Sequence, residues 1–174
     1  IPCVYRNVSG VMNALSAAEM ALAGIRRLRA AIPHVQLTAD FIVGFPGESE
    51  ADFADTMSFA KEADFLHMHV FAYSRRAGTV AADMPGQIPV PVKKARSAAL
   101  IALGEDMHRG ILMRALETPL REVLFESFSG GVAVGHTADF LEVAVRSDRP
   151  MHAETHTVRL LGESGDRLTG EVLK

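Results

Sequence analysis

In the first half of the chain, apolar positions recur twice at helical spacing and then at strand spacing. Leu22, Ile25, Leu28 and Ile32 follow Ser16 and Glu19, an S-x-x-E start signal, and Pro33 supplies a stop; together they predict a helix over about 17–32. Residues 35–43 form a mostly apolar, β-branched run, the pattern of a parallel strand covered on both faces. The turn Gly44-Phe45-Pro46-Gly47-Glu48 ends it. Ser49 with Asp52 three residues on marks a second helix start, and Phe53, Met57, Ala60 and Ala63 carry its stripe to about Ala63. A second strand is predicted over 65–73. Its alternation sets Leu66, Met68, Val70 and Ala72 on one face and His67, His69, Phe71 and Tyr73 on the other.

Residues 75–91, with Gly78, Pro85, Gly86, Pro89 and Pro91, read as an ordered but irregular connection. A long helix should follow over about 92–114, with Leu100, Leu103, Met107 and Ile111 on one face. After Pro119 the grammar changes to short strands at 121–127, 132–136, 140–146, 155–161 and 167–173, split by turn residues. The fold class expected is therefore α/β plus all-β: βα units, a helix, and a small closed five-stranded barrel of the OB-like sort.

Composition narrows the class. A chain of 174 residues, 48% hydrophobic and 22% charged with mean hydropathy +0.14, is an ordinary globular sequence. Cys3 is its single cysteine, so neither an internal disulfide framework nor a multi-cysteine metal or iron–sulfur site is available within it. No uninterrupted apolar stretch reaches the ~18 residues a membrane span needs. A cytoplasmic location and no membrane partner are expected. Net charge is −3, yet residues 75–112 carry 6 Lys or Arg against 3 Asp or Glu. Polyanion contact should concentrate on Arg75, Arg76, Lys93, Lys94, Arg96 and Arg109, unless these form only a solvated face.

The segment 40–48 places glycines at the carboxyl end of a parallel strand, where α/β folds hold ligands; a plain βα turn has the same pattern. His67 and His69 sit at metal-compatible spacing, but no third ligand accompanies them, so hydrogen-bonding histidines are favoured. Arg75 and Arg76 beside Gly78-Thr79 suit a carboxylate or phosphate as well as they suit a solvated turn. Glu105 and Asp106 belong on the solvated side of the long helix. No catalytic residue and no metal site are assigned.

Taken in order, Ile42-Val43-Gly44-Phe45-Pro46-Gly47-Glu48, His69-Val70-Phe71-Ala72-Tyr73-Ser74, Arg76-Ala77-Gly78-Thr79 and Lys93-Lys94-Ala95-Arg96-Ser97 resemble the C-terminal part of the radical S-adenosylmethionine tRNA methylthiotransferases. Residues 120–173 are similar to that family's TRAM domain. The wording is closest to the branch that modifies N6-threonylcarbamoyladenosine beside the anticodon. The resemblance implies a partial radical-SAM (β/α) barrel over 1–90, a connecting helix over 91–116 and a TRAM domain over 117–174.

It also implies cofactors and partners. Members use S-adenosylmethionine and 4Fe-4S clusters to insert and methylate sulfur on a tRNA adenine. By position, Ile42, Gly44, Glu48, Phe71, Tyr73 and Ser74 match the cofactor edge. Arg75, Arg76, Thr79, Lys93, Lys94 and Arg96, with Gly135, His136, Thr137 and Phe140 of the TRAM segment, are the expected tRNA contacts. The departures are Ala77 where proline is usual, Ala14-Leu15 in place of a basic Arg-Arg-Tyr stretch, and no CxxxCxxC loop. No cluster is therefore expected on this chain alone, and an N-terminal half carrying the clusters is the implied partner. The competing reading is a stand-alone or vestigial TRAM-type RNA-binding module without catalysis.

Overall fold

The computed structural model describes residues 14–173, with side chains from residue 17 onward. Cys3 lies outside the described residues. The chain divides into two compact units, one ending at Met107 and one starting at His108.

The first unit is built on α1 (Ala14–Ala31), β1 (Thr38–Val43), α2 (Glu50–Ala63), β2 (His67–Ala72), the single turn α3 (Val80–Asp83) and most of α4 (Val90–Ala115). α1 already runs at Ala14, so Ser16 lies inside the helix rather than capping it. The second start signal holds: the Ser49 hydroxyl accepts from the Asp52 N–H while the Asp52 carboxylate accepts from the Ser49 N–H, a reciprocal capping box. Asp64 closes α2 in the left-handed region at φ 51°, its N–H donating to the Ala60 carbonyl.

β1 and β2 pair in parallel, Thr38 with His67 through Val43 with Ala72. One face of this pair carries the core. Phe41 and Val43 pack with Ala60, Ala63, Phe65, Leu100 and Met107, and Ala39, Met68 and Val70 border them. Gly104 lets α4 approach β2 closely, since a Cβ there would lie 3.1 Å from the Met68 methyl. The opposite face corrects an expectation. Thr38, Asp40 and Ile42 of β1 and His67, His69 and Phe71 of β2 are all exposed, so β1 is covered on one face only among the described residues. Its apolar run could not reveal this, because the uncovered positions are themselves partly apolar.

The second unit is a closed five-stranded barrel, β3 (Leu120–Ser129), β4 (Val132–Thr137), β5 (Glu142–Arg146), β6 (Thr155–Ser164) and β7 (Arg167–Val172), in the order β3-β4-β5-β7-β6. All pairs are antiparallel except β5 with β7. Alternate residues fill it: Val123, Phe125, Ala133, Val143, Val145, Val158 and Leu168 are buried. Register shifts at Phe125/Ser127 and Leu160/Gly162 supply the curvature that closure requires. Phe140, expected within a strand, instead occupies the β4–β5 turn with φ 64°. No helix among the described residues is long and apolar enough to cross a membrane.

Candidate functional site

At the carboxyl end of β1 the chain turns through Gly44, with φ 73°, and Gly47, with φ 82°. This loop is braced from below by ionic and hydrogen bonds. The Gly44 N–H donates to Glu48 Oε2 at 3.0 Å, and Arg96 Nη1 donates to Glu48 Oε1 at 2.5 Å and to the Glu48 carbonyl at 3.1 Å. Arg96 Nη2 also donates to Glu50, and the guanidinium lies 5.5 Å from the Phe53 ring centroid. Arg96 is 5% exposed and Glu48 3%. Burial alone would lower the Arg96 pKa, but the hydrogen bonds that Arg96 donates to Glu50 and Glu48, with the charges of those carboxylates, outweigh it and raise it.

Two of the expected contact residues brace this loop. Arg96, expected among tRNA contacts, is buried and its charge is already met by two carboxylates, so it adds nothing to a polyanion-binding surface. Glu48, expected at the cofactor edge, spends both carboxylate oxygens on Gly44 and Arg96. The reason for glycine at 44 also changes. A Cβ there would collide with the aliphatic stem of Lys93, so the space above its backbone is filled from α4 rather than open to a ligand. Lys93 in turn donates to the Tyr73 carbonyl at 2.9 Å and lies 5.5 Å from the Tyr73 ring centroid. Tyr73 packs edge-on against Phe45 at 5.2 Å, and its buried hydroxyl finds no hydrogen-bond partner among the described residues.

Of the remaining cofactor-edge candidates, Ile42 and Phe71 are register partners and lie side by side on the uncovered face, 45% and 54% exposed. Ser74 is exposed beyond the strand end. The loop that follows is solvent-facing: Arg75, Arg76 and Thr79 are exposed, with the Thr79 hydroxyl donating to the Arg76 carbonyl at 2.8 Å and Arg75 4.0 Å from Asp83. Lys94 is exposed on α4. One pair was missed by the sequence reading: Asp40 and His69 are register partners on the same uncovered face, directly behind Ile42 and Phe71. The signal was there in the alternation of both strands, but it needed the parallel register to bring the two residues together.

In the barrel the four candidates separate into scaffold and surface. Gly135 is buried where β4 crosses β3, and a Cβ would run into the Leu124 carbonyl. Thr137 is 5% exposed; its hydroxyl donates to Asp139 at 2.6 Å and accepts the Leu141 N–H at 3.0 Å, fixing the turn. That turn presents Phe140, 76% exposed, beside His136 at 6.4 Å between ring centroids. His136 Nδ1 lies 2.6 Å from Glu126 Oε2. Gly135 and Thr137 thus build the turn, while His136 and Phe140 are what it displays.

Close by, Arg149 grips Glu154 with both guanidinium nitrogens at 2.7 and 2.8 Å, and His156 Nε2 lies 2.8 Å from Glu154 Oε2. The Arg149 hydrogen bond, then that of His156, lower the Glu154 pKa from an ordinary 4.5 to about 2. A carboxyl whose pKa falls on folding stabilises the fold above its unfolded value, and that stabilisation is lost as pH drops toward the folded one. The barrel melting temperature of the native chain should therefore decline more steeply between pH about 4.5 and about 2 than that of Glu154→Gln, and parallel curves for the two proteins would contradict this. Among the described residues no three His, Cys, Asp or Glu side chains gather to hold a metal.

No protein-family model matches the chain. It is 35% identical over 141 residues to the threonylcarbamoyladenosine tRNA methylthiotransferase MtaB of Bacillus subtilis, a match covering 79% of this chain and 31% of that protein. It is 52% identical over 83 residues to the tRNA-2-methylthio-N(6)-dimethylallyladenosine synthase of Streptomyces avermitilis, covering 48% and 16%. The protein of the same name from Mycobacterium tuberculosis is 46% identical over 104 residues, covering 58% and 19%. The chain spans 31% or less of the length of these relatives. Its homologues are tRNA methylthiotransferases of both kinds, matched over part of the chain.

Proposed function

We propose that the chain is the C-terminal portion of a radical S-adenosylmethionine tRNA methylthiotransferase acting on N6-threonylcarbamoyladenosine, with the first unit forming two βα units of the radical domain and the barrel a TRAM domain that holds tRNA. The observation that carries this reading is the order of parts. A parallel strand pair that the described helices cover on one side is followed by a closed five-stranded barrel, in a chain homologous to such enzymes over 141 residues. The longer reach of the threonylcarbamoyladenosine match, 79% of the chain against 48–58%, favours that branch. The higher identity of the shorter matches, 46–52%, favours dimethylallyladenosine as the second reading.

S-adenosylmethionine suits the uncovered edge. Ile42 and Phe71 offer apolar surface, and Tyr73 brings an unpartnered hydroxyl. Held at this edge by Ile42, Phe71 and Tyr73, the cofactor would supply radical chemistry toward a tRNA adenine, with its cluster ligands coming from outside the described residues. Gly44, Glu48, Lys93 and Arg96 hold the loop at that edge in place, and Ser74 completes the rim. Among the described residues no three His, Cys, Asp or Glu side chains are placed together to hold an iron–sulfur cluster.

Toward tRNA, the exposed Arg75, Arg76 and Lys94 contact phosphates, and His136 and Phe140 contact bases. Fluorescence anisotropy with an anticodon stem-loop, measured across a salt series, tests it. The Arg75→Ala/Arg76→Ala double variant should lower the salt slope by about 2. Phe140→Ala should weaken binding by roughly 1–3 kcal/mol at unchanged slope. Salt-independent binding, or an unaltered slope in the double variant, would overturn the assignment. A preference for the stem-loop carrying N6-threonylcarbamoyladenosine over the dimethylallyl one decides the branch.

A further inference from the structure

β3 carries one residue more than its partner strand. Phe125 pairs with Gly135 and Ser127 with Val134, so Glu126 between them has no partner on β4, the arrangement of a bulge that re-aims a side chain. Two histidines fix it there. His152 Nδ1 donates to the Glu126 carbonyl at 2.7 Å, and His136 Nδ1 lies 2.6 Å from Glu126 Oε2. The Glu126 side chain remains 53% exposed and ends beside the His136–Phe140 ring pair. Glu154, whose carbonyl accepts from the Phe125 N–H, differs: Arg149 and His156 occupy both of its carboxylate oxygens. Glu126 Oε1 has no hydrogen bond among the described residues. Its Oε2 can take a second donor, since an ionised carboxylate offers about four acceptor sites.

We infer that this carboxylate reads an unpaired guanine stacked on Phe140, with the N1–H and N2–H groups of the base donating to the two Glu126 oxygens. The inference rests on the base contact proposed above for His136 and Phe140, and adds to it which base is taken. Stacking alone is indifferent to sequence, because every base has a π-face. A carboxylate discriminates, because it only accepts. Guanine sets two donors side by side on its pairing edge. Adenine and cytosine each set a ring-nitrogen acceptor beside their amino group, and uracil flanks its single N–H with two carbonyls. Each of those three would bring a lone pair against the carboxylate. An acid on a surface that meets a polyanion also costs affinity through like-charge repulsion, a cost that recognition of a base offsets.

The test is fluorescence anisotropy of the 174-residue chain with labelled pentaribonucleotides whose central base varies between flanking uridines. The central base is guanine, hypoxanthine, adenine, cytosine or uracil. The guanine oligomer should bind about tenfold more tightly than the adenine one, the usual worth of a bidentate pair. Hypoxanthine, which keeps N1–H and lacks the amino group, should fall between them. Glu126→Gln should bring all the oligomers to within about twofold of one another, because a carboxamide sets a donor beside its acceptor. The same variant should not weaken the uracil oligomer. Phe140→Ala should weaken every oligomer and leave the guanine preference intact. Equal affinity of the native chain for guanine and adenine, an unaltered preference in Glu126→Gln, or no binding of any oligomer by a chain that binds the stem-loop would overturn the inference. So would a loss in Glu126→Gln shared equally by all the oligomers, the mark of a carboxylate that only shapes the bulge. The base contact of the tRNA reading fails separately: it falls if Phe140→Ala leaves binding unchanged, and it stands if Phe140→Ala weakens oligomers that the native chain does not distinguish.

Discussion

Arg96→Met is expected to cost the first unit about 3–5 kcal/mol of stability, the usual penalty for removing one partner of a buried ion pair. The side chain is 6% exposed against Glu48 at 1%, and its loss leaves the Glu48 carboxylate buried with only the Gly44 N–H opposite it. The loop from Gly44 to Glu48 should loosen, so the Gly44 amide exchanges with solvent faster by a factor set by the same free energy. Arg96→Lys should recover only part of the loss, because an ammonium has no planar fork to reach Glu48, its carbonyl and Glu50 together. Denaturant unfolding followed by hydrogen exchange measures both effects. A loss below about 1 kcal/mol would mean that the pair behaves as an exposed one. The anticodon stem-loop salt slope should not change in Arg96→Met below its unfolding transition, although the charge is lost, which separates a brace from a phosphate contact.

Gly135→Ala should destabilise the barrel by about 3 kcal/mol, the upper end of the usual cost of overpacking. The added methyl meets the Leu124 carbonyl and the Phe125 backbone, and backbone inside a closed barrel has nowhere to move. The neighbouring register shift at Phe125/Ser127 places this crossing at a point of high curvature, so relief would require β3 to separate from β4. Gly162→Ala is the internal comparison: its nearest neighbour would be the Thr169 hydroxyl at 3.8 Å, an ordinary contact, and its effect should stay below about 1 kcal/mol. Thermal melting of the two variants decides the matter. Equal melting temperatures would show that Gly135 is there for a reason other than strand crossing.

Elements governed by local periodicity were legible in the sequence. The Ser49–Asp52 start, the alternation of β2, the long helix and the five barrel strands each follow from residues a few positions apart, because capping, pleat and turn chemistry act over that range. The expected strand at 140–146 was too long at its start, since a turn fixed by Thr137 lifts Phe140 out of it. The segments that hold the candidate residues were legible as local features: the glycine turn after β1, the end of β2 and the β4–β5 turn were all singled out.

Individual roles inside those regions depended on partners far away in the chain. A basic residue in a basic stretch reads as surface, and nothing local distinguishes Arg96 from Lys94. The difference comes from Glu48 and Glu50, more than 40 positions away, which meet Arg96 only after α4 packs beside the β1 loop. The same packing turns Gly44 from an open approach into the seat of Lys93, and parallel pairing joins Asp40 to His69. Short-range chemistry along the chain determined which segments form and which carry polar or glycine-rich ends. Which side chains are withdrawn into braces and which remain facing solvent was decided by tertiary contacts, because burial and charge pairing are properties of neighbours in space.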